Sequence, residues 1–387
     1  MQKQSDSMKT IILFLTTILY LYPSIPVFGQ QKDLNFDAAY KKQNDQKVTI
    51  EINELQELAY IILSLTDIAK NNKVMTDQGT EYYREIIAHF TPYAGHEVVH
   101  KFNTLLSENI INYFILAGNA YGFRFEKDKI VPTGIYNFPA KGVGKFEAET
   151  NPIITYINDL EDFAKKSKFR KFYKDHNRFY NDLKKEYHTF AAIDEQKKWL
   201  EKEFDYNINS YRVLTSPLIG GMNATHTFED NDFKETLLFL PTIKKDKEWT
   251  ENYRKAINTR IIFTEIDHNY VGPVSENNKE KINSIFDNRA KWVDSTNRST
   301  QHYPTPVKVF DEYLTWGLFL LYAHDLFPDD QVVFNQMVEN VNTMMISKKG
   351  FPKAKEFNEE LLKLYMEHKD KGIASLYAPL LEWSARQ

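Results

Sequence analysis

The chain has 387 residues, with 49 lysines and arginines, 53 aspartates and glutamates, and no cysteine. Its 42% hydrophobic content is enough for a buried core, and its net charge of −4 gives no basic excess that would attract a nucleic-acid backbone. The lack of cysteine excludes disulfides, cysteine nucleophiles and cysteine-held metal sites, so any metal site must use His, Asp and Glu. We therefore expect a globular protein that does not bind nucleic acid.

The first thirty residues have the pattern of a secretory signal peptide. Lys3 and Lys9 precede an apolar run over residues 11–22, which is too short to span a bilayer. Small and β-branched residues then predict cleavage after Gly29. We expect residues 1–29 to be removed, and the mature protein to be secreted or periplasmic with no membrane span.

Hydrophobic periodicity in the first part of the mature chain, residues 30–205, predicts a mainly helical region. Alternating apolar residues predict one short strand over residues 47–51. Helical spacing predicts helices over residues 54–70, 82–90 and 96–116, and a pair of long charged helices within residues 153–204.

The pattern changes in the second part, residues 206–387. Three short strands are predicted over residues 211–218, 223–228 and 235–240, and we interpret them as a small antiparallel sheet packed on helices. Helices are predicted over about 249–270, 278–290, 307–327, 330–345 and 352–384. The fold class is therefore α+β, mainly helical, with residues 30–205 and 206–387 as two regions or as one continuous domain.

One complete HExxH motif is present, at His96-Glu97-Val98-Val99-His100. On a helix it would place two imidazoles one turn apart, with Glu97 positioned to activate a metal-bound water. Both histidines, however, lie on the polar side of the predicted helix, opposite its apolar stripe. We favour surface histidines over a zinc site here and leave the zinc site as the alternative.

A second candidate motif carries only Glu265 and His268 of an HExxH, because Thr264 stands where the first His belongs. These two residues fall in line with Ile257 and Ile261, so this side of the helix is expected to be buried. Glu312 lies within the apolar stripe of a later helix and is a third partner. His and Glu ligands from two such helices are typical of glutamate zincins. The stretch 235–241 is a candidate edge strand for an extended substrate.

The segment from about residue 211 to residue 322 resembles secreted bacterial proteins classed as domain of unknown function 4932. That family has an HExxH-x-Tyr/Phe-Val-x-Pro segment and a later helix with Glu-Tyr-Leu, and the matching residues here are Glu265, His268, Tyr270, Val271, Pro273, Glu312, Tyr313 and Leu314. The segment from Phe90 to His96 also looks like an N-terminal feature of the family, which would make His100 incidental. The resemblance implies a zincin-like, gluzincin-type metallopeptidase fold, with an active-site helix and a downstream glutamate helix.

The departure at Thr264 puts the metal site in doubt, because a zincin that loses one imidazole loses much of its metal affinity. Glu265 is then either the general base or a third metal ligand beside His268 and Glu312. Zinc is the expected metal, with manganese or iron if two carboxylates and one imidazole form the site. For His226 and Asp267 we favour a loop position and a solvated or helix-capping role, respectively, over metal ligation.

The leading hypothesis is a secreted zincin-like metal-dependent hydrolase, a metallopeptidase acting on a peptide or protein substrate. The alternative is a non-catalytic binding or structural protein on a degenerate zincin scaffold, since a fold does not by itself carry a function. A carbohydrate-active protein is a weaker hypothesis, because no pair of catalytic carboxylates can be assigned. The chain also lacks the Gly-x-Ser-x-Gly motif and a glycine-rich phosphate loop.

Overall fold

The strand predicted over residues 47–51 is present as β1 (Lys47–Glu51) in the computed structural model of the protein. The structure describes residues 33–143 and 146–387. The predicted signal peptide, residues 1–29, and its cleavage site therefore lie outside the described residues. Within the described ranges, no helix is both long and apolar enough to cross a membrane.

Short helices and hairpins surround β1 in the first part of the chain. The helix predicted over residues 96–116 is two helices, α5 (Glu97–Glu108) and α6 (Asn112–Ala120), separated by a turn around Asn109. The elements in chain order are α1 (Ala38–Asn44), β1, α2 (Glu54–Leu65), α3 (Asp67–Lys70), α4 (Glu81–Phe90), α5 (Glu97–Glu108), α6 (Asn112–Ala120), β2 (Phe123–Glu126), β3 (Lys129–Pro132), β4 (Gly142–Val143) and β5 (Phe146–Glu147). Helix α2 is almost wholly buried and forms the centre of the first hydrophobic core.

The prediction of a pair of long helices within residues 153–204 is wrong, because five shorter helices occupy this stretch. Lys168 and Ala192 adopt left-handed backbone conformations, and each directly precedes the first residue of a new helix. The charged pattern continues through both breaks, so periodicity does not reveal them. The helices are α7 (Pro152–Thr155), α8 (Ile157–Lys166), α9 (Phe169–Asp175), α10 (Asn177–Phe190) and α11 (Ile193–Phe204).

The second part of the chain supplies three strands and then helices. The strands are β6 (Ser210–Thr215), β7 (Ala224–Asp230) and β8 (Phe233–Leu240). The helices are α12 (Glu251–Ile266), α13 (His268–Asn277), α14 (Lys279–Phe286), α15 (Pro306–Leu326), α16 (Gln331–Thr343), α17 (Ala354–His368) and α18 (Tyr377–Ala385), with a π-helical turn over Met344–Lys349. Helix α15 is buried along most of its length and lies at the centre of the second core.

The main sheet is mixed, so the prediction of an antiparallel sheet is wrong. Its strands lie in the order β1-β6-β8-β7, and only β7 runs antiparallel to its neighbour. Parallel pairing of β1 with β6 needs a long crossover, which α2 to α11 provide. Alternation within a strand reports which face is buried but not the direction of the neighbouring strand.

Both faces of the sheet are covered. Tyr211 and Val213 of β6 point into the second core, whereas Leu214 belongs to a small third core that also contains Phe36 and Phe233. All six residues of β6 are buried, as expected for a strand covered on both faces. Because β1 pairs with β6, residues from Asp33 to Gln387 form one compact unit.

Candidate functional site

Helices α12 and α13 position the two residues of the second motif. Thr250 begins α12 by accepting a hydrogen bond from the backbone N–H of Tyr253, and α12 ends at Ile266. Helix α13 starts at His268, and Asp267 between the two helices keeps a right-handed helical conformation. The helix predicted over residues 249–270 is therefore two helices, and Glu265 and His268 lie on either side of their junction.

Helix α15 positions Glu312. Its first turn has the residues expected there, since the Thr305 hydroxyl caps the helix and Pro306 occupies its first position. Glu312 is only 3% exposed, and its Oε1 accepts a hydrogen bond of 2.9 Å from the indole Nε1 of Trp316, one turn later. The prediction that Glu312 is a buried carboxylate with a partner is therefore confirmed.

Glu265, His268 and Glu312 line the same cavity, which has a volume of about 410 Å³. They do so with unequal exposure, because Glu312 is buried, Glu265 is half-buried and His268 is exposed. His268 keeps exposed surface, yet burial still lowers the pKa of its imidazole, so the expectation that it lies on a buried side of its helix is met only in part. Seven other residues line the cavity: Thr264, His302, Tyr303, Lys308, Asp311, Trp316 and Lys349.

A lysine that sequence reasoning missed is the direct partner of Glu312. The Lys349 ammonium donates to Glu312 Oε1 at 2.6 Å and to the Tyr303 hydroxyl at 2.9 Å. It also lies 5.2 Å from the centre of the Trp316 ring. Burial lowers the pKa of Lys349, but the charge of Glu312 and the hydrogen bonds to Glu312 and Tyr303 together outweigh this effect, and the pKa is raised. Lys349 therefore stays protonated and neutralises Glu312.

Lys349 reaches the cavity through an unusual stretch of backbone. It is the last residue of the π-helical turn, a conformation that is rare and often found at functional sites. Gly350 follows with φ of +79°, and a Cβ there would lie 2.8 Å from the Cβ of Asn297. The glycine in Lys348-Lys349-Gly350 is the one sequence signal of this turn, and hydrophobic periodicity gives no indication of where Lys349 points.

Glu265 contacts the sheet as well as the cavity. Its Oε2 accepts a hydrogen bond of 3.0 Å from the Thr225 hydroxyl of β7. Burial raises the pKa of the Glu265 carboxyl, while the Thr225 hydroxyl and the charge of Lys349 act in the opposite direction. Glu265 thus joins the end of α12 to the last strand of the sheet.

Strand β7 is the edge of the sheet at this site, so the predicted edge strand over residues 235–241 is wrong. That stretch belongs to β8, which lies between β6 and β7. The hydroxyls of Thr225 and Thr227 point toward the junction of α12 and α13, where Thr227 donates to Asn269 Oδ1 at 2.7 Å. One face of this edge strand is therefore linked to the cavity through Glu265, which also lines the cavity.

The carboxylate of Asp267 is completely buried, so a solvated role is wrong. Its relative exposure is 0%, and neither oxygen has a hydrogen-bond partner among the described residues. Burial raises the pKa of Asp267 well above its usual range, and the charges of Glu312 and Glu265 add to the effect. Asp311, half-buried on α15, has its pKa raised to about 6, mainly by burial.

Two other candidate residues lie away from the cavity lining. His226 is on β7 rather than in a loop, and its ring lies near Phe228 and Phe239, on the opposite side of the strand from Thr225. Tyr270 is buried in the second core, where its hydroxyl accepts a hydrogen bond of 3.2 Å from Tyr211. Neither residue is positioned to complete the set of Glu265, His268 and Glu312.

The side chains present do not fit a preformed zinc, manganese or iron site. Among the described residues, no three His, Asp or Glu side chains come together in a way that could hold a metal ion. The Thr264 hydroxyl donates to the carbonyl of Arg260 at 3.1 Å, and Glu312 is bound by an ammonium. A third ligand is therefore absent at position 264, and Glu312 is already neutralised by Lys349.

The complete HExxH at residues 96–100 has a structural arrangement of its own. His96 caps α5, since its Nδ1 accepts from the N–H of Val98 at 3.2 Å, and its Nε2 lies 2.9 Å from Asp162 Oδ2. His100 is exposed, and Glu97 lies 3.7 Å from Lys101. Because both ring nitrogens of His96 already have hydrogen-bond partners, the role of this histidine is to cap the start of α5.

Comparisons with known proteins identify no relative of this chain, since no family model, curated protein or solved structure matches it.

Proposed function

We propose that this protein is a secreted peptide-binding protein built on a degenerate zincin-like arrangement, in which an extended peptide adds to the free edge of β7. One observation carries the proposal, the hydrogen bond of 3.0 Å between Thr225 on the edge strand and Glu265 on the cavity wall. This bond joins the strand at the edge of the sheet to a residue that lines the polar cavity. Strand edges bind extended peptides through backbone hydrogen bonds, and adjacent pockets select side chains.

The binding edge is the outer side of β7. Among the described strands only β8 pairs with β7, so its second row of backbone groups is available to a partner. Thr225 and Thr227 on one face contact α12 and α13, and Phe228 on the other face packs on the third core. The strand is therefore held on both faces while its edge stays open.

The charge of Lys349 supports binding over metal-dependent hydrolysis. A zinc ion at this site would have to compete with an ammonium that is already 2.6 Å from Glu312, and position 264 supplies no imidazole. A cation built into the chain satisfies the buried carboxylate without a metal. The Lys349–Glu312 pair and the missing imidazole are the features expected of a degenerate metal site that keeps its cavity and its edge strand.

Backbone-modified peptides test this proposal. Binding of fluorescent extended peptides to the protein beginning at Gln30 would be compared with binding of the same peptides N-methylated at alternate residues. Strand addition requires the peptide N–H groups, so N-methylation in the matching register is expected to weaken binding by at least about tenfold. Equal affinity for both peptide types in either register, or no binding of any peptide, would refute the proposal.

A metallopeptidase remains a second candidate function, favoured by one observation. Glu265, His268 and Glu312 line a single cavity beside the edge strand, although they come from separate helices. This candidate predicts peptide cleavage by the purified protein that is abolished both by a chelator and by Glu265→Gln. Cleavage that survives either treatment would reject this role for Glu265.

A further inference from the structure

The cavity beside β7 has more negative charge than its own cations neutralise. Three lining residues are carboxylates, Glu265, Asp311 and Glu312, and two are lysines, Lys308 and Lys349. Lys349 is committed to Glu312. Lys308 is exposed, and neither Glu265 nor Asp311 forms an ion pair with any described residue. Two half-buried carboxylates therefore face the cavity without a cationic partner.

A fully buried carboxyl group, that of Asp267, lies near Glu265 and Glu312 but is not part of the cavity lining. Asp267 has 0% exposure and two oxygens without a partner, and it lies close enough to Glu265 and Glu312 for their charges to act on it. Burial of a carboxylate without a hydrogen-bond partner is costly. The raised pKa of Asp267 means that it favours its neutral form, so the unpaired negative charge at the cavity belongs to Glu265 and Asp311.

The other cations near the cavity do not change this balance. Arg260 stacks on Trp316 with its guanidinium 5.1 Å from the ring centre, but it is not among the residues that line the cavity. Burial lowers the pKa of Arg260. Burial lowers the pKa of His268, which favours its neutral form. A positive group that enters the cavity would therefore meet Glu265 and Asp311 first.

We propose that this cavity selects a peptide carrying a basic side chain, lysine or arginine, within its strand-forming segment. This inference rests on the proposed function. Side chains of paired strands that lie opposite each other point to the same face of a sheet. Every second side chain of a peptide added to β7 would therefore point, like Thr225, toward the end of α12 and the cavity. A volume of about 410 Å³ is within the usual range for a ligand pocket and accepts a long side chain.

Paired peptides test the selection. A lysine-containing peptide would be compared with the same peptide carrying norleucine, which keeps most of the aliphatic chain but has no charge. The lysine peptide is expected to bind at least about tenfold more tightly. An acetylated amino terminus on both peptides restricts the comparison to the side chain. Equal binding of both peptides would overturn this inference and leave strand addition in place, whereas no peptide binding at all would refute the proposed function itself.

Two variants and a matched control locate the effect. In Glu265→Gln and in Asp311→Asn the preference for lysine over norleucine is expected to fall by about threefold or more, because each removes one unpaired carboxylate. Glu251→Gln removes the same charge from an exposed position at the start of α12 and is expected to keep the full preference. A preference unchanged in both cavity variants would overturn the assignment of this cavity.

Discussion

The ammonium of Lys349 lies 2.6 Å from Oε1 of Glu312, although the two residues are 37 positions apart and belong to different helical segments. The Glu312 side chain is 4% exposed and that of Lys349 is 25% exposed. The pair is therefore largely shielded from water, and each partner depends on the other for neutralisation.

Lys349→Met is expected to destabilise the protein by roughly 3 kcal/mol, because it leaves Glu312 buried without a cation. The measurement is urea denaturation at pH 7. Lys348→Met, a change of the same kind at an exposed neighbour, is expected to alter stability by less than about 0.5 kcal/mol. Similar losses in both variants would show that the ion pair is not the cause. The double variant Lys349→Met/Glu312→Leu should recover part of the lost stability.

Elemental analysis of the protein beginning at Gln30, purified without chelator, distinguishes binding from metallopeptidase function. Because Lys349 neutralises Glu312, we expect well under one zinc, manganese or iron ion per chain. A near-stoichiometric metal that is lost in both His268→Ala and Glu312→Gln would establish the metal site instead. A metal lost only in His96→Ala would assign it to residues 96–100.

Asp311 is expected to make stability fall as pH rises. Its pKa is raised from 3.8 to about 6 in the folded protein, so between these values the folded state holds more protons than the unfolded state. The free energy of unfolding should therefore decrease from pH 4 to pH 7, by roughly 2 kcal/mol from this group.

The variant Asp311→Asn isolates that contribution. Its stability relative to the parent should increase between pH 4 and pH 7 in urea denaturation, by up to the amount attributed to Asp311. Asp329→Asn, at an exposed position, serves as the control for removal of one carboxylate. A constant difference between Asp311→Asn and the parent across this range would contradict the assignment.

The two histidines of the complete HExxH are expected to differ in their effect on stability. His96→Ala removes the acceptor for the N–H of Val98 and the contact with Asp162, so it should cost about 1 kcal/mol. His100→Ala changes an exposed residue and should cost less than about 0.5 kcal/mol. Thermal denaturation monitored by circular dichroism provides the comparison. Equal losses would argue against the capping role of His96.

Local patterns predicted much of this fold because local physics determines it. The strand over residues 47–51 has the predicted bounds, and α15 starts one residue before its predicted beginning, where Thr305 and Pro306 form a standard helix start. Such features depend on a few neighbouring residues. The breaks at Lys168 and Ala192 were missed because neither residue type is a usual sign of left-handed backbone.

The site was predictable only where a polar residue interrupts an apolar stripe. Glu312 stands out in this way, and Glu265 does so more weakly. Lys349 does not stand out in the sequence, because lysine is common at the end of a helix. Its approach to Glu312 depends on tertiary packing. The direction of pairing in the sheet is likewise set by the path of the chain over a long crossover, which single-strand patterns do not encode.

The pairing of β1 with β6 also affects the behaviour of proteolytic fragments of the chain. Lys47 lies opposite Ser210 and Glu51 opposite Leu214. The strand that pairs with β6 on this side of the sheet, β1, therefore comes from the beginning of the described chain. A fragment that begins at residue 206 would lack β1 and would expose the backbone edge of β6 that β1 covers. All six residues of β6 are buried in the intact chain. An apolar strand with an open edge invites pairing between molecules. Proteolysis before residue 206 would therefore release a fragment that aggregates unless the segment carrying β1 remains bound to it.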